Sequence, residues 1–453
     1  MNQPDKGVTV LSSTRPRRSR RVAAATAGIA SLALILGACS GDSEDPGTTG
    51  DGDGEAMDEE ITLTVATFND FGYTEELLAQ YADEHPNVTI EHVTAAESGD
   101  ARTNLTTKLA AGGEGLADIE AIEVDWLPEL MQYPSLFADL PTIDGRWVDW
   151  KVEQATTPEG QLIGYGTDIG PEAICYRSDL LEAAGMPSER EEVAEWIGGE
   201  GATWESYFEA GKEYTEASGD AWFDSAQATF QGMVNQLDAA YEDPATGEPL
   251  DLATNTQVKD LYDQVLTAAV EDDLSAGLEQ WGDDWSAGFQ NDAFATMLCP
   301  SWMTGPIEER AGSIEGWDIA DVFPGGGGNW GGSFLTVPAS GANTEAATEL
   351  ADWLTSPEIQ TQAFENSGTF PSQIEVQQSD EVLAYVNDFM SGAPAGEIFA
   401  TRAQSIDGAP FKGANYFAIH AEVQNGINRV DLNGEDPEKS WETAVTDAQN
   451  VIQ

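Results

Sequence analysis

Histidine is nearly absent from this chain, with three in 453 residues (His85, His92 and His420). Cysteine is equally scarce, at Cys39, Cys175 and Cys299. That inventory leaves no donor set for a zinc module or a metalloenzyme, so neither a metal nor a cofactor is expected. Basic residues are few as well, 19 Lys and Arg against 81 Asp and Glu. Six of them (Lys6, Arg15, Arg17, Arg18, Arg20, Arg21) fall within residues 1–38, beside a single acid, Asp5. The 415 residues that follow carry 13 basic and 80 acidic groups, a net of −67. Such a surface repels phosphate backbones and anionic headgroups, which excludes nucleic acid and direct adhesion to a membrane surface.

Catalytic signatures are missing too. The chain has no G-x-S-x-G elbow, no H-E-x-x-H pair and no G-x-x-x-x-G-K-[ST] loop. Gly325–Gly328 is glycine-rich, but no lysine follows it and the charge is wrong for cradling phosphate, so it reads as a connection. With 80 carboxylates, some pair is bound to look like a glycosidase dyad by chance. No catalytic residue is assigned.

What is present begins with a compartment signal. A basic stretch ending at Arg20-Arg21 precedes 17 mostly apolar residues, 22–38, and then Leu36-Gly37-Ala38-Cys39. A spanning helix needs about 20 residues. Residues 1–38 therefore read as a lipoprotein signal peptide, with Cys39 the lipidated residue that anchors the chain at the extracellular face. Ser19-Arg20-Arg21 leaves both Sec and twin-arginine export open. Residues 39–60 hold almost no apolar side chain and read as a disordered acidic tether. Asp51-Gly52-Asp53-Gly54-Glu55 has a calcium-loop look, but its glycine is out of phase. The lipid is the expected membrane contact.

The remainder can bury a core: 41% of the whole chain is apolar and 9% aromatic, and the length suits two lobes of about 150–200 residues. Ile61–Val65 and Val88–Val93 alternate as strands. Thr74 caps a predicted helix carrying Leu77, Leu78 and Tyr81 that His85-Pro86 stops. Leu105 and Leu109 mark another, ended by Gly112-Gly113. Ala347, Leu350, Ala351 and Leu354 form one helical stripe, Ser356-Pro357 opens the next helix, and Asp436-Pro437 opens the last. The alternation predicts an α/β protein with largely parallel sheets. Cys175 and Cys299 lie in strand-like stretches of an exported chain. A structural disulfide between them is expected, two free buried thiols being the alternative.

Six pieces of sequence, in order, carry a resemblance. They are Ala117-Asp118-Ile119 to Asp125-Trp126 with Leu136–Leu140, Gly164–Pro171 with Cys175–Gly185, Thr203-Trp204-Glu205, Phe294–Met297 to Ser301-Trp302, Trp330–Ser333, and Phe370-Pro371-Ser372. From about residue 61 onward the chain resembles the extracellular sugar-binding proteins of ABC importers, the maltose-binding-protein-like group. It departs from that pattern before Thr203, where the usual proline is missing and an insertion precedes it. TDIGPEAICYR, CPSWMTGPI and NWGGSFLTVP resemble, more narrowly, the cellobiose- and cello-oligosaccharide-binding lipoproteins of actinobacteria.

The resemblance implies a two-lobed periplasmic-binding-protein fold of type II, with hinge strands and a ligand cleft. Lobe 1 would take 61–167 and 336–388, and lobe 2 would take 168–335 and 389–453. It implies an oligosaccharide ligand, delivery to ABC permease subunits, and a monomer. Sugar hydroxyls need hydrogen-bonding acids and their apolar faces stack on rings. Trp302 and Trp330, the latter beside Gly331-Gly332-Ser333, are the expected stacking residues, with Trp126 a further candidate. Asp125 and Asp168 are the expected hydroxyl acceptors. Asn69, Arg102 and Asp224 fall in matching loops, and Ser333 and Tyr416 complete the set. The rival readings are a secreted carbohydrate-active enzyme and a binder of a non-sugar solute.

Overall fold

The computed structural model describes residues 60–406 and 408–452. The expected signal peptide, Cys39 and all of the tether but Glu60 lie outside the described residues.

Nine strands in two sheets organise the described chain. The first sheet contains β1 (Ile61–Phe68), β2 (Val88–Ala95), β3 (Ile119–Glu123), β4 (Gly164–Gly166) and, much later, β9 (Ser333–Thr336). The second contains β5 (Glu172–Arg177), β6 (Ala221–Phe223), β7 (Phe294–Pro300) and β8 (Trp317–Ala320). Their orders are β2-β1-β3-β9-β4 and β6-β7-β5-β8. Local chemistry sets the intervening helices as the sequence predicts. The Thr74 hydroxyl accepts from Leu77 N at the start of the helix Glu75–Glu84. Ser356 and Asp436 cap Pro357–Ser367 and Pro437–Val451 in the same way.

The sheets are mixed rather than largely parallel. β1 pairs in parallel with β2 and β3, and β6 with β7, whereas β9 runs antiparallel to β3 and β4, and β5 antiparallel to β7 and β8. Crossing explains the difference. The chain leaves the first sheet after β4, builds the second, and re-enters the first as β9, so the strands beside each crossing point the other way.

Three segments run side by side between the sheets. Ile169 N donates to Phe370 O at 2.9 Å, and Trp330 N to Gly170 O at 2.9 Å. The middle segment tolerates little bulk at Gly170, where an added Cβ would lie 1.8 Å from the Trp330 carbonyl oxygen. Each sheet has its own core. Leu63, Val65, Ile119, Phe334 and Leu350 group around the first. On the second, fully buried β5 feeds two cores, with Ile174 and Tyr176 on one face and Ala173 and Cys175 on the other. Cys175 and Cys299 are disulfide-bonded on that second face, joining β5 to β7. Two details bear on the packing of the crossing segments. β9 starts at Ser333, and Phe370, Val376 and Val382 pack in the same core as Cys175.

Candidate functional site

Where the two lobes face each other they enclose a cavity of about 210 Å³. Its first-lobe wall comes from the loop after β1 (Phe68 to Phe71), from Glu97 to Gly99 at the head of the helix Ser98–Ala110, and from Glu123 and Asp125 at the end of β3. Its other walls are Asp168 on the outgoing crossing, Trp330 to Ser333 on the return, and Trp281, Trp302 and Phe417 from the second lobe.

The aromatic wall is an angle made of indoles. Trp302 Nε1 donates to the carbonyl oxygen of Trp330 at 2.8 Å, and the two rings stand at 88° with centroids 6.0 Å apart. Trp281 lies nearly parallel to Trp302, at 18° and 6.2 Å, and the Arg310 guanidinium sits 5.1 Å from its ring. Gly331 and Gly332 follow Trp330 at φ of 81° and 98°, where a side chain is strained, so the backbone of the return crossing approaches the cavity directly. Two non-glycine wall residues also hold left-handed backbone, Asn69 at φ 49° and Trp281 at φ 72°. For a residue as bulky as tryptophan that conformation is unusual and marks a position held by its surroundings.

The polar wall is acidic, with cations set behind it. Asp168 is buried and accepts from Thr167 Oγ1 at 2.7 Å and Ser333 N at 2.9 Å through one oxygen, leaving the other free of these bonds. Glu123 Oε2 accepts from Asp125 N at 2.8 Å. Burial, and then the charge of Asp125, push the Glu123 carboxyl up to about 8. Beneath them Lys151 is buried with its ammonium 3.8 Å over the Phe334 ring. Burial lowers it to about 8, against the pull of Asp168 and Glu123. Asp125 is ion-paired to Lys412 of the second lobe. Among the described residues no three His, Cys, Asp or Glu side chains converge as metal ligands do. The arrangement offers carboxylate acceptors, flat apolar faces and backbone groups, which suits a polyhydroxylated solute.

Of the residues singled out from sequence, Asn69, Asp125, Asp168, Trp302, Trp330 and Ser333 meet around this cavity. The other four stand behind it. Trp126 is 1% exposed in the first-lobe core, 6.4 Å from Phe68. Arg102 pairs with Glu129 at 2.5 Å and lies 4.2 Å over the ring of Phe417, so it backs a wall residue. Asp224 is buried, its Oδ2 accepting from Gln280 Nε2 and Trp285 Nε1, both at 2.8 Å, and burial pushes it up to about 6. It thereby holds the segment that carries Trp281. Tyr416 is buried, with the Lys412 ammonium 4.7 Å over its ring. Sequence reasoning missed Trp281, Phe417, Glu123 and Lys412. One signal was there: the Trp-Gly step of Trp330-Gly331 recurs at Trp281-Gly282.

Comparison with known proteins bears on the family and the fold. The family model of the bacterial extracellular solute-binding proteins matches residues 76–389. A crystal structure of an extracellular solute-binding protein of family 1 is 43% identical, with a TM-score of 0.77, covering 87% of this chain and 100% of its own. An arabinooligosaccharide-binding protein of Halalkalibacterium halodurans is 24% identical over 399 residues, 83% of this chain and 81% of that protein. The ABC-transporter-associated binding protein of B. animalis subsp. lactis, solved with β-1,6-galactobiose, shares the fold at 18% identity and a TM-score of 0.71, over 86% of this chain and 96% of its own.

Proposed function

This chain belongs to the bacterial extracellular solute-binding proteins, and from that membership we propose that it captures an oligosaccharide for an ABC importer. The family binds solutes and is not catalytic. The observation that carries the sugar reading is the pairing of perpendicular indoles, Trp302 and Trp330, with Asp125 and Asp168 across one enclosed cavity. Rings take the apolar faces of a pyranose or furanose, and carboxylates take its hydroxyls. The arabino-oligosaccharide-binding relative supports a short glycan, and the sequence resemblance favours cellobiose or a related oligosaccharide.

In this reading each sheet with its helices is one lobe, and the three crossing segments form the hinge. Ligand favours the closed arrangement because it touches both lobes at once. Cys39 carries the lipid that holds a monomeric receptor at the extracellular face, and the acidic tether lets it reach the permease subunits. A thermal-shift screen over mono-, di- and trisaccharides tests the reading, since a ligand that binds only the native state raises its midpoint. Cellobiose, β-1,6-galactobiose and arabinobiose are the first sugars to try. Turnover of cellobiose or a chromogenic glycoside would point instead to a secreted enzyme, and a response only to charged or peptidic solutes to a different cargo.

A further inference from the structure

Every charged side chain on the wall of the indole cavity is acidic. Asp70, Glu97, Glu123, Asp125 and Asp168 line it, and no lysine, arginine or histidine does. The side-chain donors among the lining polar residues are an amide and hydroxyls, as at Asn69, Ser98 and Ser333. A sugar hydroxyl both donates and accepts, so a neutral glycan does not by itself call for a wall charged with one sign.

Nearby cations offset only part of this charge. Lys412 pairs with Asp125, and the buried Lys151 ammonium is drawn by Asp168 and Glu123. Asp70 and Glu97 are exposed at the mouth and form no ion pair among the described residues. Asp70 Oδ1 accepts only from the backbone N of Gly72, at 2.8 Å. Arg310 feels the charge of Glu97, but it packs 5.1 and 5.0 Å from the Trp281 and Trp285 rings and does not line the cavity.

Two further observations turn this wall toward a ligand. Asp168 is 7% exposed, and while its Oδ1 accepts from Thr167 and Ser333, its Oδ2 makes no hydrogen bond among the described residues. The same cavity is walled by three indoles, Trp302 perpendicular to Trp330 and nearly parallel to Trp281. An indole face carries the negative end of its quadrupole and attracts a cation within about 6 Å. Carboxylates and indoles therefore favour the same kind of group, one that is positive and only donates. An ammonium, with three donors and no acceptor, is such a group. The rest of the molecule adds to this, because residues 39–453 carry a net of −67 and a cleft lined by one sign concentrates ions of the other.

We propose that the cavity prefers an amino sugar, a glycan unit with a free ammonium in place of one hydroxyl, held against the indoles by Asp70, Glu97 and Asp168. The inference rests on the oligosaccharide reading and adds to it the charge of the preferred glycan. Neutral sugars of the same shape enter through the same rings and hydroxyl contacts, and bind more weakly.

The test uses β-1,4-linked disaccharides that differ at one ring position. Cellobiose has a hydroxyl there, the glucosamine disaccharide an ammonium, and its N-acetylated form a neutral amide. The mature chain is titrated calorimetrically with each at pH 6, in 0.1 M and in 1 M sodium chloride. At the lower salt the glucosamine disaccharide should bind about tenfold or more tighter than cellobiose, as charge-assisted hydrogen bonds and cation–π contact imply, and the acetylated form should lack that advantage. The screening length falls from about 10 Å to about 3 Å between the two salts, so the advantage should shrink severalfold in 1 M salt. Asp70→Asn with Glu97→Gln changes two exposed side chains, and it should lower the ratio of glucosamine-disaccharide to cellobiose affinity by about fivefold. Equal affinities for the three sugars, or an advantage undiminished by salt or by the double variant, overturn the ammonium preference and leave the oligosaccharide reading standing. Binding of β-1,6-galactobiose or arabinobiose with none of the three does the same. A chain that binds none of the five sugars removes the oligosaccharide reading itself.

Discussion

Trp302 is hydrogen-bonded through its indole N–H to the backbone carbonyl of Trp330, which locks the two rings at right angles across the return crossing between the lobes. One ring comes from the second lobe and the other from the segment that leads back to β9, so the aromatic corner is fixed only when β7 and β9 are both in place.

Removing either ring should therefore weaken sugar binding more than folding. Trp302→Ala and Trp330→Ala should each lose roughly 1–3 kcal/mol of binding free energy by calorimetry, with melting curves close to wild type. Trp126→Ala should do the reverse. That ring is in the first-lobe core, and its loss should cost about 3–5 kcal/mol of stability. Trp126→Ala binding more weakly while melting like wild type would contradict this assignment.

The different placements of Trp302 and Trp126 mark what sequence could and could not supply. Local signals were legible. Thr74, Ser356 and Asp436 cap their helices because a short polar side chain before a helical run can satisfy a free backbone N–H without tertiary help. The neighbours Asp125 and Trp126 look alike as site candidates in the sequence, yet the turn after β3 sends the acid into the cleft and the indole into the core. Nothing in the two residue types says which goes where. Asp224 falls in a matching loop of the sequence but lies one layer back, held by its bonds to Gln280 and Trp285 some sixty residues on, which no local pattern announces. Lys412 carries no local signal. Its partner Asp125 is 287 positions away, on the other lobe, and the segment around it has no periodicity to flag it.

Acid should expose the buried histidine. His420 Nδ1 lies 2.9 Å from Tyr241 Oη and Nε2 lies 2.6 Å from Gln231 Oε1. Burial lowers its imidazole from 6.5 to about 4, with Asp125 opposing and Lys412 adding to the shift. Between those values the unfolded chain takes up a proton that the folded chain does not. The stability this residue provides is thus fully present above about pH 6.5 and lost as pH falls toward 4. His420→Gln removes that dependence. Between pH 7 and 4.5 the stability of wild type relative to the variant should fall by roughly 2–3 kcal/mol in urea unfolding. A gap between the two that stays constant with pH would contradict the shift.

Salt should stabilise the fold and leave binding alone. Residues 39–453 carry a net of −67, and basic residues such as Arg190, 2.5 Å from Asp318, are already taken up in ion pairs. The screening length falls from about 30 Å at 0.01 M to about 3 Å at 1 M, so repulsion among the acids should fade over that range. The melting temperature should climb with sodium chloride, as suits a saline exterior, while affinity for a neutral sugar stays nearly flat. A flat melting temperature removes the idea of salt adaptation, and a steep loss of affinity with salt indicates a charged ligand.

The anchor is tested by one substitution. Cys39→Ala should release the protein into the medium or leave an unprocessed precursor, read by fractionation and gel mobility. Unchanged membrane association and unchanged mobility would remove the lipoprotein assignment.

Calorimetric titration of the mature chain with cellobiose, β-1,6-galactobiose and arabinobiose, repeated on an Asp168→Asn, Trp302→Ala double variant, tests the central claim most directly. At least one of these sugars should bind with one-to-one stoichiometry to the wild-type chain, and the double variant should lose about a hundredfold or more in affinity, as two lost polar and aromatic contacts imply. Sugar binding that survives intact in the double variant, or no heat from any sugar with the wild-type chain, would contradict the assignment of this cavity as an oligosaccharide site.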